Sequence, residues 1–250
     1  MPFDEPRLKD KGKTHPVPWQ IGDIPDRILY AIGKQIVRLL AVGHDDISGA
    51  DFGDIFAEAS EGKHLAKPLG VSDVVANGLA WSVKTIKTQG QPREQRIVRL
   101  ISGRNSPDFS HGITDPHADA HATGRAVLGI WNKRISLSLV EHHEIRLMVL
   151  IRDIETKKFV LFEQPIAQYP ADDYHWEFKK TSRGNENLQG YERSTKRHCF
   201  TWQPHGSQFT IIRDVPGSAR PFAINHKIPS RVDQAILDLT GYTDDWITIG

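Results

Sequence analysis

An Asn-Gly pair between two apolar runs is the feature that most constrains the fold. Residues 71–75 form the first run, residues 79–86 form the second, and Asn77-Gly78 lies between them. Asn-Gly readily adopts the positive φ angles that a tight hairpin turn requires. The sequence therefore predicts a β-hairpin, in which side chains two residues apart on one strand share a face of the sheet.

Helical patterns occur before and after this hairpin. Apolar residues recur every fourth position within 25–41, which predicts a helix that stops near Gly43. A second, short helix is predicted at 51–60. A long helix is predicted at 115–140, with Pro116 in its first turn, where proline is well tolerated.

The rest of the chain consists mainly of predicted strands. They are expected at 97–102, 145–151, 158–162, 174–178, 199–202 and 208–212. We expect a loose arm over about residues 1–20, a mobile polar loop at 183–197 and a short helix at 232–239. Helices followed by a hairpin, a long helix and more strands indicate an α+β (mixed α/β) fold, in a single domain over residues 1–250.

Composition excludes several classes of protein. Cys199 is the only cysteine, so neither an internal disulfide nor a Cys-x-x-Cys zinc site can form. No stretch approaches the ~18 consecutive apolar residues of a membrane helix, and the charged N-terminal residues do not resemble a secretory signal. We therefore expect a cytoplasmic protein with no membrane partner. The net charge of +1 is mild evidence against a nucleic-acid partner.

The hairpin carries the residues that best suggest a reaction. Asp73 lies on its first strand, while Ser82 and Lys84 are two residues apart on the second and project from one face. Hydrolysis of a phosphodiester requires a divalent cation, and Mg²⁺ prefers carboxylate oxygens, water and substrate phosphate as ligands. A lysine beside the metal can orient the attacking water. The pattern indicates a Mg²⁺-dependent phosphodiesterase site.

At these residues the chain resembles the PD-(D/E)XK nucleases, and among them the type II restriction endonucleases. The motif reads Gly70-Val71-Ser72-Asp73, then Trp81-Ser82-Val83-Lys84. Ser72 replaces the usual proline, and Ser82 replaces the acid of the acid-x-Lys element. The resemblance extends over about the first half of the chain and is to a class rather than to one enzyme.

The resemblance implies a restriction-endonuclease-like fold, with a central mixed β-sheet flanked by helices. It also implies Mg²⁺-dependent cleavage of double-stranded DNA at a specific short sequence, leaving a 5′-phosphate. Asp73 would bind the metal and Lys84 would position or activate water. Members of this class commonly form homodimers, and a restriction enzyme implies a companion DNA methyltransferase, which this chain does not contain.

Because serine is a poor metal ligand, a second carboxylate is required from elsewhere. Glu58 on the helix at 51–60 is the first candidate for a catalytic and metal-binding role, followed by Glu61 and Glu94. A literal Glu-x-Lys at Glu177 and Lys179, with Glu163 as its partner acid, is the rival position for the whole site.

Two polar segments are candidates for DNA binding, because arginine pairs with guanine and asparagine or glutamine pairs with adenine in the major groove. The first segment contributes Arg99, Ser102, Arg104, Asn105 and Ser106, and the second contributes Gln203, His205 and Gln208. Arg183, Lys196 and Arg197 are further candidates for phosphate contacts.

Two rival functions belong to other classes. The Ser82 substitution suggests a non-catalytic DNA-binding protein that retains the nuclease fold. His117 and His121, four residues apart within the predicted long helix, suggest a zinc-dependent hydrolase, although the glutamate of the His-Glu-x-x-His motif is missing.

Overall fold

The computed structural model describes residues 18–65, 70–181 and 184–229, together with four residues between 232 and 239. The helices are α1 (Asp26–Ala41), α2 (Gly49–Ala59), α3 (Pro107–His111) and α4 (Ala120–Glu141). The strands are β1 (Lys63–His64), β2 (Val74–Ala76), β3 (Leu79–Lys87), β4 (Ile97–Arg104), β5 (Glu144–Asp153), β6 (Lys158–Pro165), β7 (Tyr174–Lys180), β8 (Glu186–Glu192), β9 (His198–Gln203), β10 (Gln208–Asp214) and β11 (Arg220–Ala223). The predicted α+β class is confirmed.

The strands form two sheets. The first has the order β1-β2-β3-β5-β6-β11 and is mixed, because β3 and β5 run parallel while its other neighbours are antiparallel. The second has the order β4-β10-β9-β8-β7 and is entirely antiparallel. The strands predicted from the second half of the chain therefore divide between two sheets.

The first sheet is covered on both faces. On one face, residues such as Trp81 and Leu150 pack against α1 and α2. On the other face, α4 packs between the two sheets, where Trp131 contacts Phe209 of β10 with their rings 6.1 Å apart. Beside α4, β4 packs directly on β5 and β6 through a third apolar cluster that includes Val98. None of the described helices is long and apolar enough to cross a membrane.

Local sequence explains where α2 and α4 begin. Ser48 and Asp51 form a reciprocal capping box at the start of α2. α4 begins at Ala120, because the Asp119 side chain accepts a hydrogen bond from the Ala122 N–H and so acts as its N-cap. The prediction that this helix starts at Asp115 was therefore wrong.

Three further expectations are corrected or fall outside the described residues. The predicted polar loop at 183–197 contains β8, which is paired on both sides. Trp19, placed in the loose arm, is buried and donates a hydrogen bond to Glu163 at 3.0 Å. Residues 1–17 of that arm lie outside the described residues, as does most of the predicted helix at 232–239.

Candidate active site

The predicted hairpin is present, but its two strands differ greatly in length. β2 has three residues and reaches only residues 79–81 of β3, so β3 continues past it as an open edge. At that edge the Asp73 Oδ2 accepts three hydrogen bonds: from the Val83 N–H at 2.8 Å, the Ser82 hydroxyl at 3.2 Å and the Lys84 ammonium at 2.9 Å. The short β2 therefore leaves a backbone donor that the Asp73 carboxylate satisfies.

This cluster lies in an open cavity of about 450 Å³. The side chains of Asp73 and Lys84 are 27% and 24% exposed, so both are accessible from the cavity although they are bonded to each other. Opposite them, β4 presents Arg99 to the same cavity. Arg99 is exposed and makes no ion pair with any described residue. A carboxylate beside two cations in an open cleft is suited to binding a phosphate together with a metal ion.

A histidine that the sequence reasoning missed forms another wall of the cavity, and a neighbouring aspartate holds it. His64 of β1 lines it, and its Nδ1 is 2.8 Å from the Asp54 carboxylate on α2. The imidazole lies directly over Gly53, where a Cβ would be 2.5 Å from the ring atoms. A carboxylate that accepts from Nδ1–H fixes the imidazole tautomer and leaves Nε2 free to accept a proton. The residues at positions 53 and 54 of α2 therefore hold this imidazole in place.

Arg134 of α4 was also missed, and it links the hairpin to β4. Its guanidinium donates to the Ser102 carbonyl at 2.6 Å and to the Gly70 carbonyl at 3.1 Å. Burial lowers the pKa of Arg134, while the nearby Asp73 carboxylate opposes that decrease. The charge persists, because arginine remains protonated in proteins, so Arg134 adds positive potential behind Asp73.

Asp73 supplies the metal-binding capacity of this cavity. All three of its side-chain hydrogen bonds involve Oδ2, so Oδ1 accepts none from the described residues. Among those residues no cluster of three or more His, Cys, Asp or Glu side chains is suited to holding a metal. One carboxylate fits a Mg²⁺ ion that takes its other ligands from water and substrate phosphate, but it does not fit a site made by the protein alone.

The structure does not bring the candidate second carboxylates to the cavity. Glu58 is exposed and accepts a hydrogen bond from Gln35 of α1, so it points to the helix–helix contact. Glu61 follows α2 in a left-handed conformation, and Glu94 lies in an exposed turn before β4. None of the three lines the cavity. The assignment of Glu58 as the second carboxylate is therefore not supported.

Neither rival site is assembled. Glu177 and Lys179 pair with each other at 2.8 Å on the second sheet, whereas their expected partner Glu163 is buried in the first sheet. His117 precedes α4 and stacks on Phe178, so it does not share a helix face with His121. The two histidines therefore do not form the predicted zinc site.

Three of the predicted DNA-binding residues have structural roles instead. Ser102 is buried, and its hydroxyl donates to the Leu100 carbonyl at 3.1 Å. Asn105 is fully buried and donates to the Val127 carbonyl at 3.0 Å. Ser106 is the N-cap of α3, since its side chain accepts from the Phe109 N–H. All three side chains satisfy backbone groups of the protein itself.

The other predicted DNA-binding residues are accessible. Arg99, Arg104 and His205 are exposed, and Gln203 and Gln208 are half-buried. His205 and Gln203 line a separate polar cavity of about 780 Å³ at one end of the second sheet. Of the phosphate candidates, Arg197 is paired with Asp214 at 2.6 Å, Lys196 lies in the turn between β8 and β9, and Arg183 falls outside the described residues.

No protein-family model matches this sequence, and no match was found among curated proteins or among solved structures. The interpretation of the cavity therefore depends on its own geometry and on the motif resemblance.

Proposed function

We propose that this chain is a Mg²⁺-dependent endonuclease that cleaves double-stranded DNA at a specific short sequence, as type II restriction enzymes do. The observation that carries the proposal is the cluster at the open edge of β3. There Asp73 is bonded to Ser82, Val83 and Lys84 inside an accessible cavity. The motif resemblance depended on these residues meeting in space, and their contacts support it.

The roles of the cavity residues follow from their charges. Asp73 would hold Mg²⁺ through its free carboxylate oxygen. When bound, the ion would polarise the scissile phosphate and supply a nucleophile at neutral pH. The Lys84 ammonium would position the attacking water and stabilise the charge that develops on the phosphate. Arg99, on the facing strand, would bind a phosphate oxygen and orient the DNA backbone in the cavity.

His64 would act as the proton acceptor that the missing carboxylate would otherwise provide. Asp54 holds its Nδ1, so Nε2 would take the proton from the attacking water. The new oxygen–phosphorus bond forms as the bond from phosphorus to the 3′ oxygen breaks. The 3′ oxygen then takes a proton from solvent, which leaves a 5′-phosphate and a 3′-hydroxyl.

The class resemblance further implies a homodimer acting on a palindromic site, a companion DNA methyltransferase and a cytoplasmic location. Trp131 does not support a dimer contact through the centre of α4, because it is 4% exposed and packs within the core. A dimer would therefore require another surface.

A non-catalytic DNA-binding protein is the second candidate. The observation in its favour is that Asp73 is the only carboxylate lining the cavity among the described residues. Under this hypothesis Asp73 and Lys84 would be a structural ion pair that completes the hairpin edge.

A digest of plasmid and phage DNA, with Mg²⁺ or with EDTA, distinguishes the two functions. The unsubstituted protein is compared with Asp73→Ala and Lys84→Ala. Asp108→Ala and Lys133→Ala are matched controls, because both residues are exposed and lie outside the cavity. Circular dichroism establishes that each variant is folded.

We expect discrete fragments that require Mg²⁺ and that disappear in both cavity variants but not in the controls. Unimpaired cutting by Asp73→Ala and Lys84→Ala would refute this assignment of the active site. Sequence-specific binding without cutting, on several unmethylated DNAs, would instead favour the non-catalytic protein.

A further inference from the structure

We infer that Arg104, Gln208 and Gln203 form a base-reading row on the second sheet that determines which DNA sequence is bound. The inference rests on the proposed function, since it assumes that the DNA backbone occupies the cavity beside Arg99. It assigns sequence recognition to three neighbouring strands outside that cavity. It also removes Ser102, Asn105 and Ser106 from the recognition set.

The row follows from strand register. Gln208 of β10 is paired directly with Arg104 of β4 on one side and with Gln203 of β9 on the other. Directly opposed residues in neighbouring strands project from the same face. Strands are about 4.8 Å apart, so the row spans about 10 Å. The major groove of B-form DNA is about 12 Å wide, so three side chains of this spacing fit across it.

A β-bulge in β4 places Arg104 in this row. Thr210 of β10 is opposite Ile101 of β4, and Gln208 is opposite Arg104. The step between these two pairs is therefore two residues on β10 but three residues on β4. The extra residue of β4 turns Arg104 to the face that Ile101 occupies. In a regular strand, residues three apart point to opposite faces, and Arg104 would project towards α4.

The bulge is fixed by Gly103 and Arg134. Gly103 has a φ of +109°, and a Cβ at this position would be 2.3 Å from the Arg134 guanidinium. The same guanidinium holds the Ser102 carbonyl at 2.6 Å and the Gly70 carbonyl at 3.1 Å. Arg134 therefore sets the direction of Arg104 and contacts the segment that leads to Asp73. Bulges of this kind commonly redirect a side chain next to a functional site.

The three side chains of the row are free to bind a ligand. Arg104, Gln203 and Gln208 make no side-chain hydrogen bond or ion pair with the described residues. By contrast, Gln164 and Gln168 each donate to oxygens of the protein. The aromatic core and α4 pack on the opposite face of the sheet, so no described helix covers the row.

Electrostatics on the same face favour an anionic partner. Burial lowers the pKa of His198, and the positive charges of Arg99 and Lys179 lower it further, while its contact with the Phe200 carbonyl opposes the decrease. Two cations thus act on one histidine of the sheet, although Lys179 is itself paired with Glu177. DNA matches this charge, and its major-groove edges match the chemistry of arginine and glutamine.

The distance to the cavity predicts where the bases are read. Arg99 and Arg104 are five residues apart, and at ~3.3 Å per residue, reduced by the bulge, about 15 Å separates them. That length corresponds to about four to five base pairs at ~3.4 Å each. Arginine pairs with guanine and glutamine with adenine. We therefore expect preferences for guanine and adenine at about four to five base pairs from the cleaved phosphate.

Sequencing of bound DNA tests the row. The Lys84→Ala protein, with Mg²⁺ present so that binding occurs without cutting, is mixed with a random-sequence duplex pool, and the bound duplexes are sequenced. Arg104→Ala, Gln208→Ala and Gln203→Ala are then added singly to this background. Lys133→Ala is the matched control, because Lys133 is exposed on α4 and lies outside the row.

Each row variant should lose preference at one position of the consensus by about 10- to 100-fold, while its affinity for unrelated duplexes changes little. Arg104→Lys should lose the preference as Arg104→Ala does, because lysine lacks the planar two-donor fork. An unchanged consensus in all three row variants would overturn this inference alone, provided that the unsubstituted protein cuts DNA specifically. No consensus and no cutting by the unsubstituted protein would remove both this inference and the proposed function.

Discussion

Replacement of Glu163 tests whether the buried polar network beneath the hairpin stabilises the fold. The Glu163 carboxylate accepts hydrogen bonds from the indole N–H groups of Trp81 at 2.7 Å and Trp19 at 3.0 Å. The Arg146 guanidinium is also within 3.3 Å. All four residues are buried, so water cannot replace a lost partner. Glu163 thus joins the N-terminal segment, β3 and β5.

These contacts determine how much the free energy of unfolding should fall when Glu163 is replaced. Loss of one partner of a buried ion pair costs about 3–5 kcal/mol, and each buried donor left without an acceptor costs about 1–3 kcal/mol. These values do not add, and Arg146 keeps Glu144 as a partner at 2.8 Å. We expect Glu163→Ala to lower the free energy of unfolding by about 4 kcal/mol. Glu163→Gln retains one acceptor oxygen and the side-chain volume, so about 2 kcal/mol is expected.

Urea denaturation followed by tryptophan fluorescence and circular dichroism measures both losses. Glu155→Ala is the control, because Glu155 is exposed in the turn between β5 and β6, and its change should stay within about 0.5 kcal/mol. Equal unfolding midpoints for Glu163→Ala and Glu155→Ala would refute the stabilising role of the network.

Two further predictions concern acid stability and catalysis. Burial would raise the pKa of Asp46, but hydrogen bonds from Arg152, the Ile47 N–H and Lys87 outweigh it and lower the pKa to about 2. The charged form therefore stabilises the fold above pH ~4, and this stabilisation disappears as the pH falls from ~4 to ~2. Because the Asp46 side chain is 32% exposed, Asp46→Asn should lower the free energy of unfolding by about 1 kcal/mol at pH 7. Urea titrations should show that the free energies of unfolding of the variant and the unsubstituted protein converge below pH ~4. A difference that stays constant with pH would contradict this prediction. His64→Ala should slow DNA cutting by about 10²–10³-fold without weakening duplex binding in a gel-shift assay, and an unchanged cutting rate would show that another group accepts the proton.

Local pattern predicted the hairpin and the contacts of its catalytic candidates. The Asn77-Gly78 turn set the register of β2 and β3, and the two-residue period of a strand placed Ser82 and Lys84 on one face. Asp73 then lies opposite them at the strand edge, and all three meet as expected. The α1 helix was predicted to within one residue for the same reason, since its four-residue apolar period is a local property.

Roles predicted from sequence position were wrong for side chains that have a partner far away in the sequence. Asn105 lies in a polar segment that resembles a recognition loop, yet it is fully buried against Val127 of α4. Glu58 was expected at the metal, yet it is bonded to Gln35, 23 residues earlier. Neither contact leaves a periodic signal in the sequence, because each depends on how separate elements pack.

The sequence by itself determined most helices and strands, the α+β class and the cluster of Asp73, Ser82 and Lys84. These features depend on strand period and turn chemistry, which are decided within a few residues. Only the tertiary structure decided that the strands divide into two sheets, that His64, held by Asp54, borders the cavity, and that a bulge turns Arg104 outward. These features require contacts between distant segments, whose free energy comes from packing and burial and not from local conformational preference.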